Sequence, residues 1–324
     1  MNHHTSLSKR LLKAQAQGLC FLPQPDFNGT GLRTQRRLGT LLELLPGLFI
    51  DPTFWDSLKY EEKSQVLFQS VIKKHPRWIF AGTSAAWVHG FTKTLRILTP
   101  ITVLSKNGTH PRQSLYVKRI YTGDFEYSSP ENCRGVLVTP AVRTVFDCSR
   151  LLPLTDALPI CDAALRAGKV TIGEVCAFAD VHRHCHKWRR AIATMQLASP
   201  LAESGGESEA RALMHILGFK EPQLQVEIKD PITHAVYRVD FLWELPDGHR
   251  VIGELDGKQK YHDPTMTRGR PLEAILKAEK QRESRLSIYD VRIMRFTYDI
   301  LKQPSAFAEL LSQFGIPRTT PLTF

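Results

Sequence analysis

The sequence predicts an α+β protein with more than one domain. Stretches whose apolar residues recur at helical spacing are interspersed with short β-branched runs bounded by turn residues, and this mixture is typical of the α+β class. The chain has 324 residues, whereas a domain usually has roughly 100 to 200. Its hydrophobic content of 42% is enough for a packed core. From shifts in pattern we predict domains over residues 1–75, 76–200 and 201–324.

The charge of the chain favours an anionic partner. Lys and Arg number 43 against 32 Asp and Glu, a formal net charge of +11. Such an excess attracts nucleic acid or an anionic membrane surface. No apolar run reaches the roughly 20 residues of a membrane span, and the basic start of the sequence does not resemble a secretion signal. The six cysteines are widely separated, so we expect reduced thiols and a cytoplasmic location. DNA is the partner that we predict for the basic charge.

The N-terminal domain begins with two stretches of helical periodicity. Residues 7–16 carry apolar side chains at helical spacing up to Gly18, and residues 30–45 form the second stretch. A Pro-Gly turn at 46–47 then leads into a short apolar strand over 48–50. Two short helices followed by a turn and a strand indicate a winged helix-turn-helix, whose second helix enters a DNA major groove.

Basic side chains concentrate on the predicted second helix. Arg33, Arg36 and Arg37 occupy adjacent positions on its outer side, as contacts to phosphates or bases require. A small helical bundle with a solvated basic side would show the same pattern. We predict that these three arginines bind DNA.

The middle domain is predicted to be α+β. A short helix capped by Thr83 or Ser84 and ended by Gly90 comes first. Strands over 101–104, 115–121 and 136–139 and helices over 141–151, 154–167 and 172–179 follow. The segments Ser-Ala-Ala-Trp-Val-His-Gly at 84–90 and Thr-Pro-Ala-Val-Arg-Thr-Val-Phe-Asp at 139–147, with the helix-turn-helix, resemble the AbiEi family of antitoxin-like transcriptional regulators. This resemblance spans roughly residues 1–200 and implies a DNA-binding regulator with a cognate toxin or regulatory partner.

Potential metal ligands cluster at 182–186. His182 and His186 are four residues apart and would share a metal if this segment were helical. Arg183 and Lys187 would repel a cation, so a basic helix that faces solvent or DNA is the preferred interpretation.

In the last part of the chain, the sequence pattern predicts helices and strands in the order α-β-β-β-α-β-α. A helix over 206–217 precedes strands over 223–228, 235–245 and 250–255, then a helix over 271–287, a strand over 291–296 and a helix over 305–314. Pro-Asp-Gly at 246–248 is a turn sequence, so the strands on either side of it should form a hairpin.

Three carboxylates interrupt the apolar pattern of this hairpin. Glu254 and Asp256 share one face of the strand by period-two alternation, and pairing brings Asp240 beside them. A divalent cation would remove their mutual repulsion, polarise a phosphate and lower the pKa of a bound water. Lys258 and Lys260 follow directly and would stabilise the charge of a phosphoryl transition state.

Residues 203–317 resemble the very-short-patch-repair-like endonuclease branch of the PD-(D/E)XK nuclease superfamily. The matching segments are Val-Asp-Phe at 239–241, Gly-Glu-Leu-Asp-Gly-Lys-Gln-Lys-Tyr at 253–261, Gly-Glu-Ser at 206–208 with Arg211, and Glu-Lys-Gln-Arg-Glu at 279–283. The resemblance implies a restriction-endonuclease-like α-β-β-β-α-β core in which Asp240 and Glu254 ligate Mg²⁺, or Mn²⁺ in its place. The superfamily lysine belongs where Asp256 stands, so Lys260 or Lys258 would replace it, or the site is weak.

Glu207 has two interpretations. It completes a Ser-x-x-Glu capping box with Ser204, and the superfamily often has a first-helix acid that reaches the active site. Arg268 and Arg270 either contact a phosphate backbone or lie in a solvated loop.

These observations lead to the hypothesis of a Mg²⁺-dependent DNA endonuclease with Asp240, Glu254, Asp256, Lys260 and Glu207 in its site. A non-catalytic, antitoxin-like DNA-binding regulator with a degenerate nuclease domain is the alternative. A nuclease acting on RNA would use the same carboxylates.

Overall fold

The computed structural model describes residues 2–24, 29–109, 114–256, 273, 281, 284–285 and 287–319. Helices and small sheets are mixed along the chain, which confirms the α+β class. Two compact units comprise residues 1–147 and 148–324. The division falls inside a helix, and the three predicted domain limits stay a prediction. Within these described ranges no helix combines the length and apolar character needed to cross a bilayer.

The first unit begins with two helices and a hairpin. Helices α1 (Asn2–Ala16) and α2 (Gly29–Arg37) precede the antiparallel strands β1 (Leu42–Leu45) and β2 (Leu48–Ile50). Gly18 has φ +65° and lies just past the end of α1, as predicted. The small apolar core of this region contains Leu7, Phe21, Leu32, Leu41 and Phe49.

The prediction of one helix over 30–45 is wrong in its second half. Helix α2 ends at Arg37, and Gly39 then has φ +72°, a left-handed conformation that glycine adopts without strain. The leucines of 42–45 belong to β1, and Leu38, which has an apolar side chain, is 63% exposed just after α2. Leucine spacing alone does not separate a long helix from a helix followed by a short strand.

The rest of the first unit packs helices against two small ladders. Strands β3 (Ile101–Lys106) and β4 (Val117–Thr122) pair in parallel, and β5 (Glu131–Cys133) and β6 (Val136–Val138) pair antiparallel. Phe80 bridges to Val103 and to Val138 and so joins the ladders through one residue. The helices of this part are α3 (Pro52–Ser57), α4 (Tyr60–Lys74), α5 (Gly82–Val88), α6 (Asp124–Tyr127) and α7 (Ala141–Leu151).

Helix α5 starts differently from the prediction. Its cap is Ala81, and neither Thr83 nor Ser84 caps it. The Ser84 Oγ instead accepts a 2.9 Å hydrogen bond from the Thr102 amide, and Thr83 Oγ1 lies 3.3 Å from Thr102 Oγ1. These hydroxyls therefore fasten α5 to β3. Gly90, with φ +82°, follows the end of the helix as predicted.

The second unit opens with helices α8 (Leu154–Arg166), α9 (Ile172–Val181) and α10 (Trp188–Leu197). The prediction of a basic helix through His182 and His186 is wrong, because residues 182–187 form a turn between α9 and α10. His182 follows α9 and stacks on Phe178 with ring centroids 3.8 Å apart. The histidine spacing therefore creates no shared helical face for a metal.

A four-stranded mixed sheet forms the centre of the second unit. Helix α11 (Gly205–Ile216) precedes β7 (Gln223–Lys229), β8 (Val236–Glu244) and β9 (Arg250–Asp256), and β10 (Val291–Thr297) follows later in the chain. The strand order is β10-β9-β8-β7, with β10 parallel to β9 and the other pairs antiparallel. Helices α12 (Tyr298–Leu301) and α13 (Pro304–Gln313) close the unit. The helix predicted over 271–287 lies almost entirely outside the described residues.

Each face of this sheet is covered by apolar packing. The larger cluster joins the sheet to α11 and α13, and its buried aromatic side chains are Phe219, Phe241, Trp243, Phe296 and Phe307. The smaller cluster contains Ile228, Val239, Leu242, Ile252 and Val291. Tight packing also requires glycine at position 253, because a Cβ there would lie 2.8 Å from Trp243 Cζ3.

Candidate active site

Asp240 and Glu254 lie at adjoining positions where the β8–β9 ladder ends. The paired residues run from Glu244 opposite Arg250 to Phe241 opposite Gly253. One step further along the same register, Asp240 lies opposite Glu254. Asp240 Oδ2 accepts a 3.0 Å hydrogen bond from the amide of Leu255. The carboxylate of Asp240 is therefore fixed against the backbone of β9, next to residue 254.

Glu254 is buried and paired with an arginine from the neighbouring strand. Its residue is 8% exposed, and its Oε2 lies 3.3 Å from Arg295 Nη2. Residues 254 and 295 are in register across the parallel strands β9 and β10. A buried carboxylate needs such a partner, because an unpaired charge in this position would be costly. No motif in the sequence points to Arg295.

The capping interpretation of Glu207 is confirmed in part, because its side chain bonds to the Ser204 hydroxyl and to the Glu203 amide, and not to the amide of the cap residue Ser204. The Ser204 side chain caps α11 by accepting from the Glu207 amide, and Glu207 Oε1 accepts from Ser204 Oγ at 2.8 Å. Its Oε2 accepts from the amide of Glu203 at 2.8 Å. Burial raises the pKa of Glu207, and the negative charge of Asp240 raises it further. A role for Glu207 in the active site stays a prediction.

Gln225 links Glu207 to the sheet. It lies on β7 opposite Asp240, between the registered pairs Leu224–Phe241 and Val226–Val239. Its Nε2 donates to Glu207 Oε2 at 3.1 Å, and its φ of +52° is unusual for a residue with a side chain. Side-chain alternation also shifts here, because Leu224 and Phe241 pack in the larger apolar cluster and Val226 and Val239 in the smaller. No sequence motif signals this residue.

Close packing at Gly206 holds the start of α11 near β9. A Cβ on Gly206 would lie 2.8 Å from Leu255 Cδ2, a distance that real Cβ atoms essentially never show. The absence of a side chain thus lets the helix approach the strand that carries Glu254. Glu207, the next residue, is placed by the same close approach of α11 to β9.

Asp256 lies within the described residues, whereas four of the predicted basic residues do not. Asp256 is the last residue of β9, half-buried, and in register with Thr297. Lys258, Lys260, Arg268 and Arg270 lie outside the described residues. In the N-terminal region, Arg33, Arg36 and Arg37 are exposed on α2, as predicted, and Arg36 forms an ion pair with Glu43.

The donor atoms of this site suit a hard divalent cation. Across the described parts of the chain, no group of three or more His, Cys, Asp and Glu side chains is arranged to hold a metal ion. The oxygens of Asp240 and Glu254, with the Leu255 carbonyl, nevertheless fit Mg²⁺ in kind, because Mg²⁺ is usually held through one or two carboxylates and keeps several waters.

Comparison with known proteins adds no independent identification. No family model matches this sequence, and a search of curated proteins gave no significant match. The function is therefore inferred from the site and from the resemblances carried by the residues quoted above.

Proposed function

We propose that this protein is a Mg²⁺-dependent endonuclease that hydrolyses DNA phosphodiester bonds. The hydrogen bond from the Leu255 amide to Asp240 carries the proposal, since it fixes the Asp240 carboxylate against the strand that carries Glu254. The element order α11-β7-β8-β9, with β10 parallel to β9, supports a restriction-endonuclease-like core. Carboxylates have poor β-propensity, so their presence at this end of the two central strands favours a chemical role.

Asp240, Glu254 and the Leu255 carbonyl would hold the cation. When bound, Mg²⁺ polarises the phosphoryl oxygen and lowers the pKa of a bound water. Asp240 is positioned by its bond to the Leu255 amide. Glu207 keeps its orientation through the donors Glu203, Ser204 and Gln225. Burial raises the pKa of Glu207, whereas the hydrogen bonds from Glu203 and Ser204 lower it.

Asp256, the last residue of β9, would tune the cation or bind a second one. Lys260, or Lys258, lies beyond the described residues and would assist the attacking water. Arg268 and Arg270 would contact the DNA backbone. These roles rest on the sequence alone.

The N-terminal region would direct the enzyme to DNA. Helices α1 and α2 followed by the β1–β2 hairpin support a winged helix, with Arg33, Arg36 and Arg37 on the helix that would enter the groove. The AbiEi-like segments favour a role in regulation alongside cleavage, with a cognate toxin as a possible partner.

A specific observation favours a second candidate, a non-catalytic DNA-binding regulator. Glu254 is already neutralised by Arg295, and Asp256 stands where the superfamily has its lysine. Under this alternative the sheet would be a DNA-binding platform without catalysis.

Cleavage assays distinguish the candidates. Purified full-length protein would be incubated with supercoiled plasmid, linear and mismatched duplexes, and single-stranded RNA in Mg²⁺ or Mn²⁺. We expect cutting of DNA that Asp240→Ala and Glu254→Ala abolish, while Glu227→Ala, which removes an exposed acid from β7, cuts normally. DNA binding without any cutting would establish the regulator instead, and cutting of RNA alone would redirect the proposal to RNA.

A further inference from the structure

The first unit contains a basic cleft that the proposed nuclease does not use. Its volume is about 660 Å³, within the range of about 300 to 1,000 Å³ usual for ligand sites. No carboxylate is among the described residues that line it. The residues that matter for its chemistry are Arg77, Trp78, Lys106, Arg119 and Tyr127.

Two guanidinium groups and one ammonium give the cleft its charge. Arg77 is exposed in the segment after α4, and Arg119 is half-buried on β4, in register with Val103 of β3. Lys106, at the end of β3, forms an ion pair with Asp124, with Nζ and Oδ2 3.0 Å apart, and both side chains are exposed. Arginine presents a planar fork of donors that matches phosphate oxygens. The cleft is therefore suited to a phosphorylated ligand.

Trp78 gives the same cleft a rigid aromatic wall. Its ring stacks on His75 with centroids 3.6 Å apart and an interplanar angle of 3°. It also meets the buried Phe80 edge-on at 6.3 Å. These contacts fix the indole before any ligand arrives, which reduces the entropy lost on stacking. A bare phosphate would gain nothing from this wall, whereas a base would stack on it.

We propose that this cleft binds a nucleotide through its phosphate and its base, with Arg77 and Arg119 holding the phosphate and Trp78 stacking on the base. The nucleotide is either free or the unpaired end of a nucleic acid strand, because both present the same chemistry. The cleft lies in the other compact unit from the acidic site, and the inference does not depend on cleavage.

Binding is tested on the full-length protein in EDTA, so that any nuclease activity is silent. Calorimetry with AMP, ATP and inorganic phosphate probes free ligands, and fluorescence anisotropy with a labelled hexathymidylate probes a strand end. We expect Arg77→Gln/Arg119→Gln to weaken nucleotide or strand binding by about tenfold or more. Trp78→Leu should weaken it at least about fivefold and leave binding of inorganic phosphate unchanged.

Lys118→Gln is the matched control, because Lys118 is exposed on β4 next to Arg119 but does not line the cleft. It should change affinity by less than about twofold, within the effect expected of a peripheral charge. Binding of AMP or ATP that the cleft variants weaken supports a free nucleotide, and binding of the strand alone, weakened in the same way, supports a strand end.

Three results would overturn the proposal: no binding of any probe, equal weakening by Lys118→Gln, or no effect of Trp78→Leu on base-containing ligands. If Trp78→Leu does not fold, the double arginine variant decides, since neither arginine is buried.

Discussion

Glu254 of β9 and Arg295 of β10 face each other in register across parallel strands, with Oε2 and Nη2 3.3 Å apart. This pair balances the charge of the buried acid in the absence of a cation. A cation bound at Asp240 and Glu254 would therefore share the Glu254 carboxylate with Arg295 or displace the arginine from it. In an active site the cation competes successfully with Arg295 for this carboxylate, and in a degenerate site it does not.

We predict that Arg295→Gln destabilises the protein by about 3 kcal/mol, because it leaves a buried carboxylate without its cation. If the site binds Mg²⁺, adding MgCl₂ should restore more stability to the variant than to the wild type. Urea unfolding with and without MgCl₂ measures both effects. Arg292→Gln is the control, since Arg292 is exposed on the same strand; an equal loss in both variants would show that the ion pair is unimportant.

A second prediction concerns the support of α11. Asp162 of α8 is completely buried, and its Oδ2 accepts from Arg211 Nη1 at 2.9 Å, while its Oδ1 accepts from the Ser199 amide at 2.7 Å. Removing one partner leaves the other charge buried alone, so Asp162→Ala should lower the free energy of unfolding by about 3 to 5 kcal/mol. Chemical denaturation measures this loss.

The pair of changes Asp162→Leu/Arg211→Met provides the control for that prediction. It replaces both charges with apolar side chains, so it should lose less stability than Asp162→Ala, although the Ser199 amide loses its acceptor. A double variant as unstable as Asp162→Ala would mean that shape, and not charge pairing, determines the loss.

Local pattern was sufficient to predict the hairpin of the candidate site. Alternation and the Pro-Asp-Gly turn predicted strands over 235–245 and 250–255, and the observed strands are Val236–Glu244 and Arg250–Asp256. The juxtaposition of Asp240 and Glu254 follows, because a short turn fixes the register. Arg295 could not be predicted, since it reaches Glu254 through a parallel pairing distant in sequence.

Other parts of the structure depend on packing that the sequence pattern does not encode. Gln225 resembles any polar residue of an exposed strand, yet its left-handed backbone and its bond to Glu207 arise from the surrounding sheet. Leu42 and Leu45 keep helical spacing but lie on β1, which pairs with β2, and Leu45 packs beside Leu48 in one buried cluster.

Gly253→Ala should destabilise the sheet by about 1 to 3 kcal/mol through overpacking. The new methyl would lie 2.8 Å from Trp243 Cζ3 and 3.1 Å from Phe241 Cβ, and neither buried side chain has room to move. Thermal unfolding checks this, with Gly173→Ala in α9 as control because nothing lies within 4 Å of its added Cβ. The control should be neutral or slightly stabilising; an unchanged midpoint for Gly253→Ala would show that the core yields.

The first unit should lose stability as the pH falls below 6.5. Burial lowers the pKa of His75 from its ordinary value of 6.5, and the positive charge of Lys74 lowers it further. Because the unfolded chain then binds the proton more readily than the folded one, the free energy of unfolding decreases as pH falls through this window. Lys74→Gln should raise the titration midpoint of His75 followed by NMR, whereas Lys73→Gln at an exposed neighbouring position should move it less. A midpoint at or above 6.5 in the wild type would contradict the prediction.

Gln225→Gly should separate stability from activity. Glycine relieves the cost of φ +52°, about 1 kcal/mol, and loses a hydrogen bond of similar value, so the unfolding free energy should change by less than about 1 kcal/mol. Under the proposed nuclease function, Glu207 loses a donor and its fixed orientation, so kcat for DNA cleavage should fall about tenfold. The lost hydrogen bond also disfavours the ionised carboxylate, so the pH profile of cleavage should shift toward higher pH.

The control for this prediction is Gln223→Gly, at an exposed position on the same strand, which should leave the pH profile of cleavage unchanged. Unchanged cleavage by Gln225→Gly would limit Gln225 to a structural role.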